Sequence, residues 1–202
     1  MGHWRLMNSD KYVENQLNEF LIVLNEFRST CTQELLDSAS IIVECFKNGG
    51  KVLICGNGGS ASDSQHFAAE FMSSFSKEIN RDSYPAISLS SDISLITAYS
   101  NDFSFEGIFA RQIQSLGKKG DVLIVITTSG TSKNCILAVK QAKENGLKTL
   151  AFTKLGSEIS KKVDVSIQVP SHNTQHIQEC HVISYHIIAG LVENIMTFRE
   201  LN

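Results

Sequence analysis

His66 and Glu70 stand four residues apart. If their stretch is helical, both side chains leave one face. An imidazole beside a carboxylate can relay a proton or hold a divalent metal, although such a pair taken alone is also what an ordinary helix surface carries. A second group of such side chains crowds the far end of the chain: Gln175, His176, Gln178, Glu179, His181 and His186. Gln178 and His186 are eight apart, a little over two helical turns, so long side chains at these positions can converge on one side. His186 lies within Val182-Ile183-Ser184-Tyr185-His186-Ile187-Ile188, a mainly apolar stretch. A histidine there is either a hydrogen-bonded core residue or a ligand, and the spacing leaves both readings open.

Two further stretches share one chemical theme. Lys51-Val52-Leu53-Ile54-Cys55 runs into Gly56-Asn57-Gly58-Gly59-Ser60, and Val122-Leu123-Ile124-Val125-Ile126 empties into Thr127-Thr128-Ser129-Gly130-Thr131-Ser132. Each reads as a buried strand, a small polar loop and a helix start, the arrangement that aims backbone N–H groups at an anion with the helix dipole behind them. The first loop lacks the third glycine of a dinucleotide fingerprint and the Gly-Lys-Ser/Thr of a P-loop. Alone it reads equally as a tight turn needing positive φ. The second is more specific. Five hydroxyls in six residues exceed what one helix cap requires, and they suit a phosphate bound without fixed positive charge.

These groups need elements to carry them. Apolar residues at three- and four-residue spacing predict helices over about 9–30 and 32–48, the second closed by Asn48-Gly49-Gly50. Strand 51–55 follows, then a helix over 61–74 with Phe67, Ala68, Phe71 and Phe75 as its apolar stripe. Strand 86–89 precedes a helix capped at Ser91-Asp92 and broken by Asn101-Asp102, and another helix spans about 105–116. Strand 121–126, helix 132–145, strand 148–153, a turn at 156–161, strand 165–169 and a helix over 174–198 complete the alternation. This pattern is a three-layer α/β fold, a parallel sheet flanked by helices, with ligands at the carboxyl ends of the strands. Residues 1–50 read as a helical extension serving oligomerisation and 51–202 as the α/β unit, in one structural domain overall. The apolar faces of the two leading helices exceed what a minimal α/β domain needs.

Composition narrows the classes. The chain has 202 residues, 42% of them hydrophobic, and a net charge of −3. No Lys/Arg-rich run is present, which argues against nucleic acid as a partner. No stretch approaches the ~20 continuous apolar residues of a membrane span, and Met1-Gly2-His3-Trp4-Arg5-Leu6 has neither the apolar core nor the cleavage site of an export signal. Five cysteines (Cys31, Cys45, Cys55, Cys135, Cys180) show no CxxC spacing; an odd, scattered set fits free thiols in the cytoplasm. Cys55 and Cys135 read as small core residues.

Taken together, Gly56-Asn57-Gly58-Gly59-Ser60, Gln65-His66-Phe67-Ala68-Ala69-Glu70, Ser100-Asn101-Asp102-Phe103, Thr128-Ser129-Gly130-Thr131-Ser132 and Ile177-Gln178-Glu179-Cys180-His181 resemble the bacterial phosphoheptose isomerases. These are SIS domain proteins with a flavodoxin-like or Rossmann-like sheet. The resemblance covers nearly the whole chain, helical extension included. It implies conversion of sedoheptulose 7-phosphate to D-glycero-D-manno-heptose 7-phosphate, the first step of nucleotide-activated heptose biosynthesis, with lipopolysaccharide among its destinations. It implies one zinc per subunit on His66, Glu70, Gln178 and His186. Substrate contacts would come from Asn57, Gly58, Gly59, Ser60, Glu70, Asn101, Asp102, Thr127, Thr128, Ser129, Ser132 and Gln178. The assembly would be a cytoplasmic homotetramer with sites built from more than one subunit. A cis-enediolate route needs a group at the carbon proton and another at the oxygens; Glu70 is assigned the first role and His186 the second.

Two departures touch the sugar-binding wall. Many relatives have an arginine where this chain reads Ser73-Ser74-Phe75, and some have an aspartate near Gln175. Two alternatives follow: an isomerase for another sugar phosphate, and a non-catalytic SIS regulator similar to the DnaA initiator-associating protein. The complete His66, Glu70, Gln178 and His186 set argues against the regulator.

Overall fold

The structure is a computed structural model and describes residues 9–198; residues 1–8, including the start read for an export signal, and 199–202 lie outside the described part. Helices α1 (Ser9–Thr30) and α2 (Thr32–Lys47) lead into β1 (Val52–Gly56) and α3 (Gly59–Met72). β2 (Ala86–Ser88), α4 (Ile93–Asp102), a 3-10 turn (Phe105–Gly107) and α5 (Ile108–Leu116) follow. Then come β3 (Val122–Ile126), α6 (Lys133–Glu144), β4 (Lys148–Lys154), a 3-10 turn (Ile159–Lys161), β5 (Val165–Val169) and α7 (Thr174–Phe198).

The five strands pair in parallel in the order β2-β1-β3-β4-β5. Every residue of β1 and β3 is buried, which is why neither shows polar alternation. Their side chains divide by parity. Val52, Ile54, Val122, Ile124 and Ile126 join α2, α3 and α7 in one core layer, whereas Leu53, Cys55, Leu123 and Val125 join α5 and α6 in the other. The three-layer parallel architecture expected from the sequence is thus present.

The chain leaves β1 to one side for β2 and to the other for β3, so the switch in strand direction falls between the carboxyl ends of β1 and β3. Gly56 pairs with Ile126, and the two polar loops start side by side.

Two local expectations are corrected. Asn101 and Asp102 do not break α4, which continues through Asp102 and ends where Phe103 N donates to Tyr99 O; the Asp92 cap is real, its Oδ1 accepting from Leu95 N at 2.9 Å. Phe75 is not on the α3 stripe. That helix ends at Met72, and Phe75 lies beyond it, 41% exposed. Beyond Met72, Ser74 Oγ donates to Ser76 O and Ser76 Oγ accepts from Glu78 N, local bonds that compete with further helix.

Of the α1 stripe, only Phe27 is buried; Tyr12, Val13, Leu17 and Leu21 are exposed. Beside them, Leu24, Phe27, Leu35, Leu36, Ile183 and Ile187 line an apolar groove shared by α1, α2 and α7. All five cysteines are free and buried, Cys55 and Cys135 completely.

Candidate functional site

Helix α3 carries His66 and Glu70 one turn apart, and α7 brings His186 to them. His66 Nε2 lies 2.9 Å from Glu70 Oε1, and the His66 and His186 rings stand edge to face with centroids 5.1 Å apart. One ligand atom from each of His66, Glu70 and His186 falls within 4.8 Å of the others. Two imidazoles and a carboxylate at that separation suit zinc. The spacing left two readings for His186, core residue or ligand; the structure shows a half-buried side chain that faces the His66–Glu70 pair.

Gln178, the expected fourth ligand, lies two turns before His186 on α7 and is engaged by Asp63 in this structure. Its Nε2 donates to Asp63 Oδ2 at 2.8 Å, and its amide fills the space over Gly59, where an added Cβ would lie 2.4 Å from Nε2. A larger residue at 59 would have to push the tip of the Gln178 side chain aside. Asp63 is buried, and burial pushes its carboxyl above the usual range, partly offset by the Gln178 hydrogen bond and by His66.

Tyr185, buried behind the cluster, bonds His66 Nδ1 through its hydroxyl at 3.0 Å. Its ring stacks on Phe67, centroids 5.3 Å apart. Burial, then the charges of Asp63 and Glu70, raise the phenol to about 12, so it stays protonated. A tyrosine hydroxyl both donates and accepts, so it can serve either tautomer of His66.

The two loops differ. Gly58 takes φ 57, the conformation that favours glycine. The Asn57 and Asn134 amides exchange two hydrogen bonds, 2.9 and 2.8 Å, and so tie the β1 loop to α6. After β3, Thr127 is buried and accepts from Gly130 N, while the hydroxyls of Ser129 and Ser132 approach Thr127 Oγ1 only at 3.4 Å. Ser132 precedes α6 and makes no side-chain cap bond. Ser129 Oγ accepts from Thr131 N at 3.3 Å, and the O–H groups of Ser132, Thr128 and Ser129 can still donate to an anion at the helix N-terminus.

Asn101 and Asp102 are not drawn in. Both are exposed at the end of α4, and Asn101 Nδ2 bonds Asp102 Oδ1 at 2.8 Å. The remaining histidines of α7 are elsewhere. His176 bonds Glu179. His181 is fully buried, and that burial holds its imidazole down at about 4, the nearby Thr153 backbone offsetting only part of the effect.

Sequence reasoning missed Asp63, Tyr185, Asn134, Arg81 and Glu193. The last two are a buried ion pair, Arg81 Nε donating to Glu193 Oε1 at 2.7 Å. Glu193 carried a signal: a lone carboxylate in the apolar run Leu191–Met196 is seldom buried unless paired.

Known proteins resemble this chain in sequence and in fold. The SIS domain family model matches residues 16–154. A phosphoheptose isomerase of Roseiflexus sp. is 42% identical over 187 residues, covering 92% of this chain and 94% of its own. That of Aquifex aeolicus is 46% identical over 169 residues, 83% of this chain and 87% of its own. The chain belongs to the phosphoheptose isomerase family of SIS domain proteins. Among solved structures, the phosphoheptose isomerase of Francisella tularensis superposes with a TM-score of 0.89 at 34% identity, covering 93% of this chain and all (100%) of that one. The Neisseria gonorrhoeae enzyme gives 0.86 at 34% identity with the same coverage.

Proposed function

We propose that the chain isomerises sedoheptulose 7-phosphate to D-glycero-D-manno-heptose 7-phosphate through a cis-enediolate. The observation that carries this reading is the meeting of His66, Glu70 and His186 from two distant helices, in a chain whose hydroxyl loop after β3 stands open at a helix N-terminus. Family membership supports the same chemistry.

In this reading the loop Thr127–Ser132 holds the distal phosphate and fixes the position of the reacting end. Glu70 removes a proton from C1 as the C1–H electrons form C1=C2 and the C2 carbonyl oxygen takes a proton from His186. Return of the carbon proton to C2 and loss of the O1 proton to His186 leave the aldose, so no atom is gained or lost. His66, Glu70, Gln178 and His186 would hold zinc, one per subunit. Bound there, zinc supplies a Lewis acid for the substrate oxygens and organises the pocket. Asn57, Gly58, Gly59 and Ser60 wall the site opposite the hydroxyl loop.

We further assign a cytoplasmic homotetramer. The free cysteines support the compartment. The exposed stripe of α1 and the adjoining apolar groove support an interface built on residues 1–50. Exposed Asn101 and Asp102 fit a site completed across subunits. The non-catalytic regulator is not favoured, since the relatives compared carry the isomerase name.

The test is turnover of sedoheptulose 7-phosphate by the purified chain within a panel of C5 to C7 ketose phosphates, with metal analysis of the same sample. Turnover of the C7 ketose with stoichiometric zinc is expected. Preference for a shorter ketose would assign another sugar, and absence of any turnover would sink the reading.

A further inference from the structure

We propose that Arg81 and Glu193 form a buried clamp that positions Glu70 against His186, which makes Arg81 a positioning residue for the reaction. The inference rests on the roles given to Glu70 and His186 above.

Helix α3 ends at Met72, so the carbonyls of its last turn have no helical partner. The Arg81 guanidinium reaches back to them. Nη2 donates to Glu70 O and Nη1 to Phe71 O, each at 2.9 Å. Nη1 also donates to Asp82 O at 2.9 Å. A cation at this end of a helix is favoured by the dipole, and the rigid planar fork meets adjacent carbonyls in a fixed geometry that a flexible ammonium does not impose. Nε of the same side chain donates to Glu193 Oε1 at 2.7 Å. The other Glu193 oxygen accepts from Ser76 N at 2.8 Å, and Oε1 also accepts from Phe75 N at 3.1 Å. Both ion-pair side chains are nearly sealed from solvent, at 5% and 2% exposure.

Glu193 lies seven residues after His186 on α7, two turns along the same face. The clamp therefore joins the turn that holds Glu70 to the helix that holds His186. The segment it closes brings the Phe75 ring to 6.2 Å from the His186 ring. A Cβ placed on Gly190 would come within 3.1 Å of Phe75, so this packing leaves little slack. The backbone carbonyl held by Arg81 belongs to Glu70 itself, and displacing a reacting group by ~1 Å costs about 100-fold in rate.

Removing one partner would strand a buried charge and risk the fold. The test is therefore the double variant Arg81→Met/Glu193→Leu in the full chain, which leaves no unpaired ion. The variant is expected to be folded by circular dichroism, with kcat on sedoheptulose 7-phosphate down at least about tenfold and KM within about threefold. Introduced into Glu70→Gln, the same pair should add little, because it acts through Glu70. A structural role alone would lower that residual rate too. Arg81→Lys keeps the ion pair but loses the fork, and its kcat should fall between wild type and the double variant. A folded double variant with wild-type kcat overturns the clamp. If the double variant does not fold, wild-type kcat in Arg81→Lys overturns it. If the wild-type chain fails to turn over the sugar, the functional reading falls instead. The clamp is then judged in Arg81→Lys by exchange of the Ser73 and Tyr84 amides, which donate to Ala69 O and Phe71 O at 2.8 and 3.1 Å, and unchanged protection there overturns it.

Discussion

The loops after β1 and β3 start in register, Gly56 opposite Ile126, and each follows a strand buried along its whole length. Their polar groups nevertheless have different fates. In the β1 loop they bond within the protein: Asn57 to Asn134, while Gly59 is covered by Gln178, itself held by Asp63. In the β3 loop the hydroxyls meet one another only at 3.4 Å, and Ser132 leaves the helix N-terminus uncapped by its side chain. The same strand, loop and helix physics thus yields a fixed wall in one place and an open anion cradle in the other. The wall side belongs to the cluster on α3 and α7, and substitutions there should strike kcat and metal binding. Substitutions on the cradle side should strike KM.

The largest effect is expected at Glu70. Glu70→Gln keeps the shape of the side chain and removes the base, so kcat should fall by ~100-fold or more while phosphate binding and the fold persist. Steady-state kinetics with a competitive sugar-phosphate ligand measures both, and a variant keeping more than about a tenth of the wild-type rate removes Glu70 from its role. Tyr185→Phe should be next. Losing the hydroxyl on His66 Nδ1 frees the ring to turn, and outer partners of ligating histidines typically carry ~10- to 100-fold in metal affinity. Zinc titration of the metal-stripped chain reads this directly; unchanged affinity would show that the hydroxyl does not orient His66.

Much of this was legible in the sequence, and the reason is local. The buried strands announced themselves as apolar runs, the helices by their period, and His66 and Glu70 by a spacing that one helix face enforces. The groups that were not legible depend on long-range pairing. Asp63 meets Gln178 across 115 residues, Tyr185 meets His66 across 119 and Arg81 meets Glu193 across 112. No period or cap signals such pairs, because they arise only once α3 and α7 pack side by side. The end of α4 failed for the opposite reason. Asn101 and Asp102 are poor helix formers, but α4 packs against α5 and the turn before it, and such packing overrides a weak local preference.

On the cradle side, Ser129→Ala should raise KM about tenfold, since a hydrogen bond to a charged group is worth ~1.5–3 kcal/mol, and should leave kcat within about threefold. Initial-rate kinetics separates the two. A kcat defect without a KM change would mean that the hydroxyl loop serves the chemistry rather than the phosphate.

The smallest and most discriminating change is Gly59→Ala, on the wall. Gly59 is the first residue of α3 and does not have positive φ, so alanine fits the backbone. The atoms its Cβ would meet, at 2.4 and 2.8 Å, are the tip of the Gln178 side chain. A flexible tip can move, so stability should change by less than ~1 kcal/mol. Gln178 should be pushed off Asp63, with a loss of about threefold to tenfold in kcat or zinc affinity, the low end of what a supporting contact carries. Gln178→Ala should reproduce the defect, and combining the two should add almost nothing, because both remove one contact. If Gly59→Ala instead raises KM and leaves kcat and zinc binding alone, the β1 loop is itself gripping the phosphate. Both loops would then be cradles, and the division between wall and cradle would fail.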